Sequence, residues 1–192
     1  FQLQLSDADF MGFGWRYPFF VAFTINVVAL FARLRLVATE EFRRLLEADE
    51  LEPEPVVETV RASGRNILVG AFVPLACYAL FHLVTVFPVS WINLFTGRSV
   101  GEFLMVQFAG AVICTMTIIM SGLIADQIGR RSTIALAAAL IGLFALGSII
   151  APLLFGDSMP GQTIFVVVGF ALLGLAYGQS SGAIAENFGT KY

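Results

Sequence analysis

The sequence from Phe103 to Phe155 reads FLMVQFAGAVICTMTIIMSGLIADQIGRRSTIALAAALIGLFALGSIIAPLLF. Its charged residues are Asp126, Arg130 and Arg131, which lie together in a short segment between two long apolar runs. Each run is long enough to cross a bilayer, since a span needs roughly 20 mostly apolar residues. The pattern therefore predicts two transmembrane helices joined by a tight, charged turn.

The composition extends this prediction to the whole chain. Hydrophobic residues make up 58% of the 192 residues and charged residues only 13%, whereas a soluble domain carries about 25% charged residues. Hydrocarbon offers no water to backbone groups, so spans of this kind must be helices. The predicted fold class is an all-α integral membrane protein in contact with the lipid bilayer. Its five predicted spans are about Pro18–Leu36, Ile67–Pro88, Phe103–Ala125, Thr133–Phe155 and Thr163–Ala185.

The sequence lacks the motifs of several other functional classes. It contains no metal-binding spacing of His, Cys, Asp or Glu, no phosphate-binding loop and no nucleophile elbow. The cysteines Cys77 and Cys114 lie inside apolar runs, where packing is their expected role. We therefore predict no enzyme activity, no cofactor and no metal. A basic surface for nucleic acid is also missing.

Local signals mark the boundaries of helices and of one polar segment. Pro18 suits the first turn of a helix, where a missing N–H costs little. Ser99 and Glu102 have the spacing of a capping box before the third span. Residues 37–66 alternate charged and apolar side chains, which predicts a cytoplasmic amphipathic linker. This linker would separate an outer loop and one helix in residues 1–36 from four helices in residues 67–192.

The distribution of Lys and Arg predicts the orientation, because cytoplasmic loops of membrane proteins carry an excess of both. Arg16 and Arg98 fall on one side of a five-helix zigzag. The other nine basic residues fall on the opposite side: Arg33, Arg35, Arg43, Arg44, Arg61, Arg65, Arg130, Arg131 and Lys191. The linker 37–66 and the loop 126–131 are therefore predicted to be cytoplasmic.

Each residue type in the charged turn suits a connection between two helices. Gly122 would let neighbouring helices approach closely, and Gly129 would permit the backbone to reverse. Asp126 could pair with an arginine or with the N-terminus of an adjacent helix. Arg130 and Arg131 would anchor the cytoplasmic face. On charge alone, the same residues equally suit a generic basic loop.

Three sequence motifs resemble those of a known transporter superfamily. The turn resembles Gly-x-x-x-Asp-Arg-x-Gly-Arg-Arg, the loop motif of the major facilitator superfamily, but departs from it at Gln127 and Ser132. Residues Gly14–Phe19 read GWRYPF and resemble the signature that opens the sixth helix in its metabolite:proton symporter family. Residues Glu186–Lys191 are similar to the ending of the tenth helix in that family.

The resemblance implies a twelve-helix bundle of two halves, of which this chain would be a fragment covering helices six to ten. It implies a secondary active transporter in the bacterial inner membrane, functional as a monomer, that moves a small polar metabolite and protons by symport. The metabolite would be an organic acid or an osmolyte, and the charged turn would form part of a cytoplasmic gate. Two alternatives remain open: an uncoupled facilitator, and a receptor or assembly subunit that keeps the fold without transport.

Polar residues inside the spans are candidates for the solute or proton pathway, because such residues are costly in a membrane. His82 is the only histidine, and an imidazole suits proton coupling. The other candidates could bind a solute or could equally form hydrogen bonds between helices: Asn26, Tyr78, Gln107, Gln179, Ser180 and Glu186. Tyr78 also suits an interfacial anchor, and Glu186 a gate ion pair.

Small residues predict where helices pack closely. Gly174, Gly178 and Gly182 recur every fourth residue and therefore share one helix face. Ala138 and Gly142 form a similar pair in the fourth span. Inside lipid, small residues at this spacing favour close contact between helix backbones.

Overall fold

A computed structural model of the protein describes residues 5–37, Arg44, 56–96, 99–150 and 158–186. The regular structure of these residues is helical and includes no strand, which confirms the predicted all-α class. A 3-10 turn spans Gly14–Arg16. The α-helices of the described residues are α1 (Asp7–Gly12), α2 (Tyr17–Val37), α3 (Val56–Phe72), α4 (Leu75–Phe95), α5 (Val100–Ile128), α6 (Arg130–Ile150) and α7 (Met159–Glu186).

Five stretches of the described chain are long and apolar enough to cross a membrane. They are Gly14–Arg35, Val60–Phe95, Val100–Ile128, Arg130–Ile149 and Met159–Ala185. The longest helix, α5, has 29 residues, which corresponds to about 44 Å, whereas the hydrocarbon core is roughly 30 Å thick. A helix of this length tilts or extends beyond the hydrocarbon at its ends.

The chain divides into two compact units, residues 1–55 with 190–192 and residues 56–189. In the first unit, Gly14 is buried, and a Cβ at this position would lie 2.7 Å from Leu5 Cδ1. The Arg16 guanidinium packs over the Trp15 ring at 4.9 Å from its centroid. Helix α2 then begins at Tyr17 and exposes its side chains, as expected for a helix that faces lipid.

The amphipathic linker predicted for residues 37–66 lies largely outside the described residues. From Val56 onward the chain is helical, and α3 continues to Phe72 with a kink at Ser63 (φ −121°, ψ 21°). The chain leaves the helix at residues 73–74 and resumes as α4 at Leu75. Pro74 accounts for this break, because its ring lacks an N–H and clashes with the preceding helical turn. The second span is therefore two helices joined by a turn.

Pro88 lies inside α4, although the sequence suggested that the span ends there. A proline has no N–H, so the carbonyl of Val84, four residues earlier, loses its helical donor. Gln107 of α5 replaces that donor: its Nε2 donates to the carbonyl oxygens of Val84 at 3.0 Å and Thr85 at 2.7 Å. Helix α4 consequently continues to Phe95.

Helix α5 begins where the sequence predicts, but its cap is simpler than expected. Ser99 is the N-cap residue, with extended backbone angles (φ −64°, ψ 118°). Its side chain forms no capping hydrogen bond among the described residues, so the reciprocal capping box expected with Glu102 is not made. Glu102 still lies in the first turn of α5, where the helix dipole favours a carboxylate.

Helices α5 and α7 pack along a seam of glycines, which we call the glycine seam: Gly110 of α5 with Gly174 and Gly178 of α7. A Cβ on Gly174 would overlap the Cys114 carbonyl oxygen, and one on Gly178 would lie 3.0 Å from the Ile118 carbonyl oxygen. The predicted small face of α7 is therefore confirmed at these two positions. In contrast, a Cβ on Gly142 of α6 would meet no atom within 4 Å, so the close approach predicted there is not made within the described chain.

The core of the second unit lies where α4, α5 and α7 meet. Its most buried members include Val84 and Val166 at 0% exposure and Phe103 at 2%. Phe170 of α7 packs over Gly110, where a Cβ would lie 2.5 Å from its ring. The core thus holds α4 against the pair of helices joined by the glycine seam.

We expect Gly174→Ala to destabilise the protein, because the added methyl group would overlap the backbone of α5 and overpacking costs about 1–3 kcal/mol. The measurement is the thermal unfolding temperature of detergent-purified protein, with size-exclusion chromatography used to monitor the folded fraction. Gly142→Ala is the matched control, since its methyl group enters open space. Equal unfolding temperatures for the two variants would contradict the glycine seam.

Candidate functional site

The charged turn between α5 and α6 contains a single non-helical residue, Gly129. Its backbone angles are φ 85° and ψ 150°, a conformation that is essentially restricted to glycine. The Gly129 N–H donates to the Ala125 carbonyl oxygen at 2.9 Å and closes the end of α5. The Gly129 carbonyl oxygen accepts from the backbone N–H and the hydroxyl of Thr133, at 3.1 and 3.0 Å. The turn is therefore short and fixed on both sides.

Arg130 connects this turn to the end of α7. A Cβ on Gly182 of α7 would lie 2.8 Å from Arg130 Nη1, so the guanidinium lies directly over this glycine. Gly182 is in the last two turns of α7, near the end where a helix dipole favours a positive charge. The third glycine of the predicted face therefore makes room for a charged group of α6.

The other members of the turn lie at the surface of the second unit. Asp126 and Arg131 are exposed, and Asp126 forms no ion pair with another described residue. A carboxylate near the C-terminal end of a helix is disfavoured by the helix dipole, by about 0.3–1 kcal/mol. A Cβ on Gly122 would meet no atom within 4 Å, so the close helix approach expected there is not seen in the described chain.

A cleft of about 400 Å³ opens between α4, α5 and α7 in the second unit. We call it the aromatic cleft, because four of its eight lining residues carry rings: Tyr78, Phe81, His82 and Tyr177. The other four are Cys77, Cys114, Ile118 and Leu173. None of the eight is an acid, a lysine or an arginine, so the cleft offers hydroxyls, an imidazole and aromatic faces in an otherwise apolar wall.

Two of the predicted pathway residues, Tyr78 and His82, meet in this cleft. They are four residues apart on α4, which places them on one helix face. The His82 ring packs edge-on against Phe81, with the ring centroids 5.5 Å apart. His82 is exposed in the chain, so its imidazole is accessible to a molecule in the cleft.

The other predicted pathway residues lie elsewhere. The Nε2 atom of the buried Gln179 donates to Ser121 Oγ across the glycine seam at 3.1 Å. Ser180 donates to the Tyr177 carbonyl oxygen at 2.9 Å and borders a separate gap of about 20 Å³. Gln107 bonds the backbone of α4 one turn before Pro88, as described above.

Two further candidates are not among the lining residues of the cleft. In the first unit, Asn26 donates its Nδ2 to the Ala22 carbonyl oxygen of its own helix at 2.8 Å. Glu186 ends α7, and its side chain is outside the described residues. Among the candidates with described side chains in the second unit, only His82 and Tyr78 line the cleft.

The sequence analysis did not single out Phe81 and Tyr177 as members of a site. Helical spacing predicts part of the cleft lining. Residues four apart share one helix face, as do Tyr78 and His82 on α4 and Leu173 and Tyr177 on α7. Which helix faces meet is a tertiary property that this spacing does not contain. Among the described residues, no group of three His, Cys, Asp or Glu side chains is arranged to hold a metal ion.

Comparison with known proteins finds one family model and several relatives. Residues 10–192 match the model of the Major Facilitator Superfamily. The chain is 28% identical to the inner membrane metabolite transport protein YhjE of Escherichia coli K12, over 97% of the chain and 43% of YhjE. It is 24% identical to the proline/betaine transporter of Escherichia coli K12, over 74% of the chain and 30% of that protein. No solved structure matches.

A third relative is the ectoine/proline transporter ProP of Corynebacterium glutamicum, which is 26% identical over 66% of the chain and 27% of ProP. The chain spans less than half the length of each of these relatives. All three are named as transporters, which agrees with the prediction that the chain is not an enzyme. The family match includes the charged turn and the aromatic cleft and confirms the resemblance drawn from the motifs. The chain belongs to the Major Facilitator Superfamily.

Proposed function

We propose that the protein is a secondary active transporter of the bacterial inner membrane that moves a small polar metabolite together with protons. The aromatic cleft carries the proposal, because it places His82 and two tyrosine hydroxyls in an accessible space between three membrane-length helices. In transporters of this kind, two helical halves rock around a central site and expose it alternately to each side. The relatives named above as transporters of metabolites, proline, betaine and ectoine support the same class.

The lining of the cleft suits a solute that has a cationic or apolar part, as a zwitterionic osmolyte has. A carboxylate is recognised best by a cationic partner, and none of the eight lining residues is a lysine or an arginine. Aromatic faces attract cationic and apolar parts of a ligand, while the hydroxyls of Tyr78 and Tyr177 supply hydrogen bonds. The carboxylate of an osmolyte or of an organic acid would pair with a protonated His82 or with a cation from outside these eight residues.

We assign residues 1–36 to the last helix of the first half with its outer loop, residues 37–66 to the cytoplasmic linker, and residues 67–192 to four helices of the second half. The charged turn then faces the cytoplasm, in accordance with the distribution of Lys and Arg. In this arrangement Arg130 packs on α7, and Asp126 is exposed where a cationic partner can reach it. The turn would act as a latch that stabilises one state of the gate.

The transport proposal is tested by uptake into vesicles that contain the full-length protein, with radiolabelled proline, betaine and a dicarboxylate as probes. We expect accumulation of at least one probe, and loss of accumulation when an uncoupler collapses the proton gradient. Uptake that equilibrates without accumulation and ignores the uncoupler would instead indicate a facilitator. Binding of a probe without flux would favour the receptor alternative.

Replacement of His82 tests proton coupling at the cleft. An imidazole changes its charge between about pH 5 and pH 8, whereas a glutamine keeps the hydrogen-bonding capacity and does not titrate. We expect His82→Gln to flatten the dependence of uptake on external pH in this range. Val86→Ala is the control, because Val86 is an exposed residue of α4 outside the cleft. An unchanged pH profile in His82→Gln would remove His82 from the proton pathway.

The latch role of the turn predicts that Asp126→Ala lowers the rate of uptake at unchanged expression, because the gate state that needs the carboxylate is lost. Loss of an exposed ion pair costs about 0.2–1 kcal/mol, which corresponds to a step slowed by up to about fivefold. Glu102→Ala is the matched control, since Glu102 is an exposed acid at the opposite end of the same helix. Normal uptake by Asp126→Ala would contradict the latch.

A further inference from the structure

We propose that Gln107 of α5 is a positioning residue that clamps the segment of α4 around Pro88 and so holds the α4 wall of the aromatic cleft. The inference adds a structural requirement to the proposed transport site and rests on that proposal for its functional consequence. The structural evidence is a pair of hydrogen bonds from Gln107 to the backbone of Val84 and Thr85.

Pro88 leaves a backbone acceptor that water cannot reach. Pro88 removes the N–H that would bond the Val84 carbonyl oxygen, and both Val84 and Pro88 are buried. In a membrane, a freed carbonyl of this kind must be satisfied by another protein group. The amide of Gln107 meets this need at 3.0 Å from the Val84 oxygen and 2.7 Å from the Thr85 oxygen.

Gln107 has no donor left for a solute. A glutamine amide carries two N–H hydrogens, and the two hydrogen bonds to α4 account for both. The sequence analysis treated Gln107 as a candidate for solute binding, and the structure gives its Nε2 a different partner. The side chain therefore acts on the cleft through the backbone of α4.

Two hydroxyl groups near Pro88 bond back to the preceding turn of α4. The hydroxyl of Thr85 donates to the Phe81 carbonyl oxygen at 2.6 Å, and that of Ser90 donates to the Val86 carbonyl oxygen at 3.1 Å. Back-bonding of Ser and Thr to the preceding turn bends helices and weakens them slightly. Because Pro88 lies between Thr85 and Ser90, residues 81–90 combine these bonds with the loss of one backbone donor.

This segment adjoins the aromatic cleft directly. Phe81 and His82, which line the cleft, come just before Val84 in the same turn of α4. On the α7 side, Val84 packs into the space left by Gly169, where a Cβ would overlap its Cγ1 atom. Helices α5 and α7 thus both contact α4 at Val84. The cleft residues Phe81 and His82 lie within one turn of that contact.

The test uses Gln107→Leu, Pro88→Ala and the double variant in the full-length protein. Leucine has a similar volume but no donor, so Gln107→Leu leaves the Val84 carbonyl without a partner. Alanine at position 88 supplies the missing backbone N–H, which makes the amide dispensable. Gln179→Leu is the matched control, because it removes a side-chain amide between helices whose partner is the Ser121 side chain and not the α4 backbone.

The readout is the rate at which N-ethylmaleimide alkylates Cys77, with the other cysteines replaced by serine. Cys77 lines the cleft and is 3% exposed, so its labelling reports loosening of α4. We expect roughly tenfold faster labelling in Gln107→Leu, as for the loss of a buried hydrogen-bond partner. The double variant should label at the rate of Pro88→Ala alone, and Pro88→Ala should not rescue Gln179→Leu.

Two outcomes would overturn the clamp: labelling of Gln107→Leu at the wild-type rate, or a double variant that labels as fast as Gln107→Leu. Uptake kinetics add a second comparison where the wild-type protein transports a probe. A raised KM in Gln107→Leu that Pro88→Ala does not correct would assign Gln107 to solute binding and overturn the clamp. Absence of uptake by the wild-type protein would count against transport and leave the labelling comparison intact.

Discussion

Backbone hydrogen bonding in hydrocarbon is the constraint on which the rest of this structure depends. Without water, every N–H and C=O in a span needs a protein partner, and the two prolines of the second span show two ways to meet that need. At Pro74 the chain leaves the helix and starts another. At Pro88 the helix continues, because Gln107 supplies donors from a neighbouring helix. The length and position of α4, and therefore one wall of the cleft, follow from this difference.

The aromatic cleft lies directly beside the close contact between α5 and α7. On α7, Gly174 and Gly178 lie against α5 with almost no space between the backbones. Leu173 and Tyr177, each one residue earlier in the chain, line the cleft. The small residues bring the helices together, and the large residues beside them border the space that remains. A side chain at the glycine positions would move the cleft wall as well as the seam.

The sequence predicted the spans and the turn well, because apolar length and the need for glycine at a positive φ are local properties. The local sequence does not show that the helix breaks at Pro74 but continues through Pro88. The difference depends on Gln107, which lies about twenty residues after Pro88 in the chain. The same limit applies to the polar candidates. Gln107 and Gln179 have the residue type of a solute ligand, and the structure uses them between helices. His82 and Tyr78 share a cleft with rings from α4 and α7 that only the tertiary fold brings near.

Helix α7 connects the cleft to the charged turn. Tyr177 borders the cleft, and Gly182, little more than one turn later, accommodates the Arg130 guanidinium. Since Gly129 is the only non-helical residue between α5 and α6, a displacement of the turn must move the ends of both helices together. Asp126 lies where the dipole of α5 disfavours its charge, so pairing with a cation would recover that cost. In the proposed cycle, formation of this pair stabilises one gate state, and α7 transmits the change to the wall of the cleft.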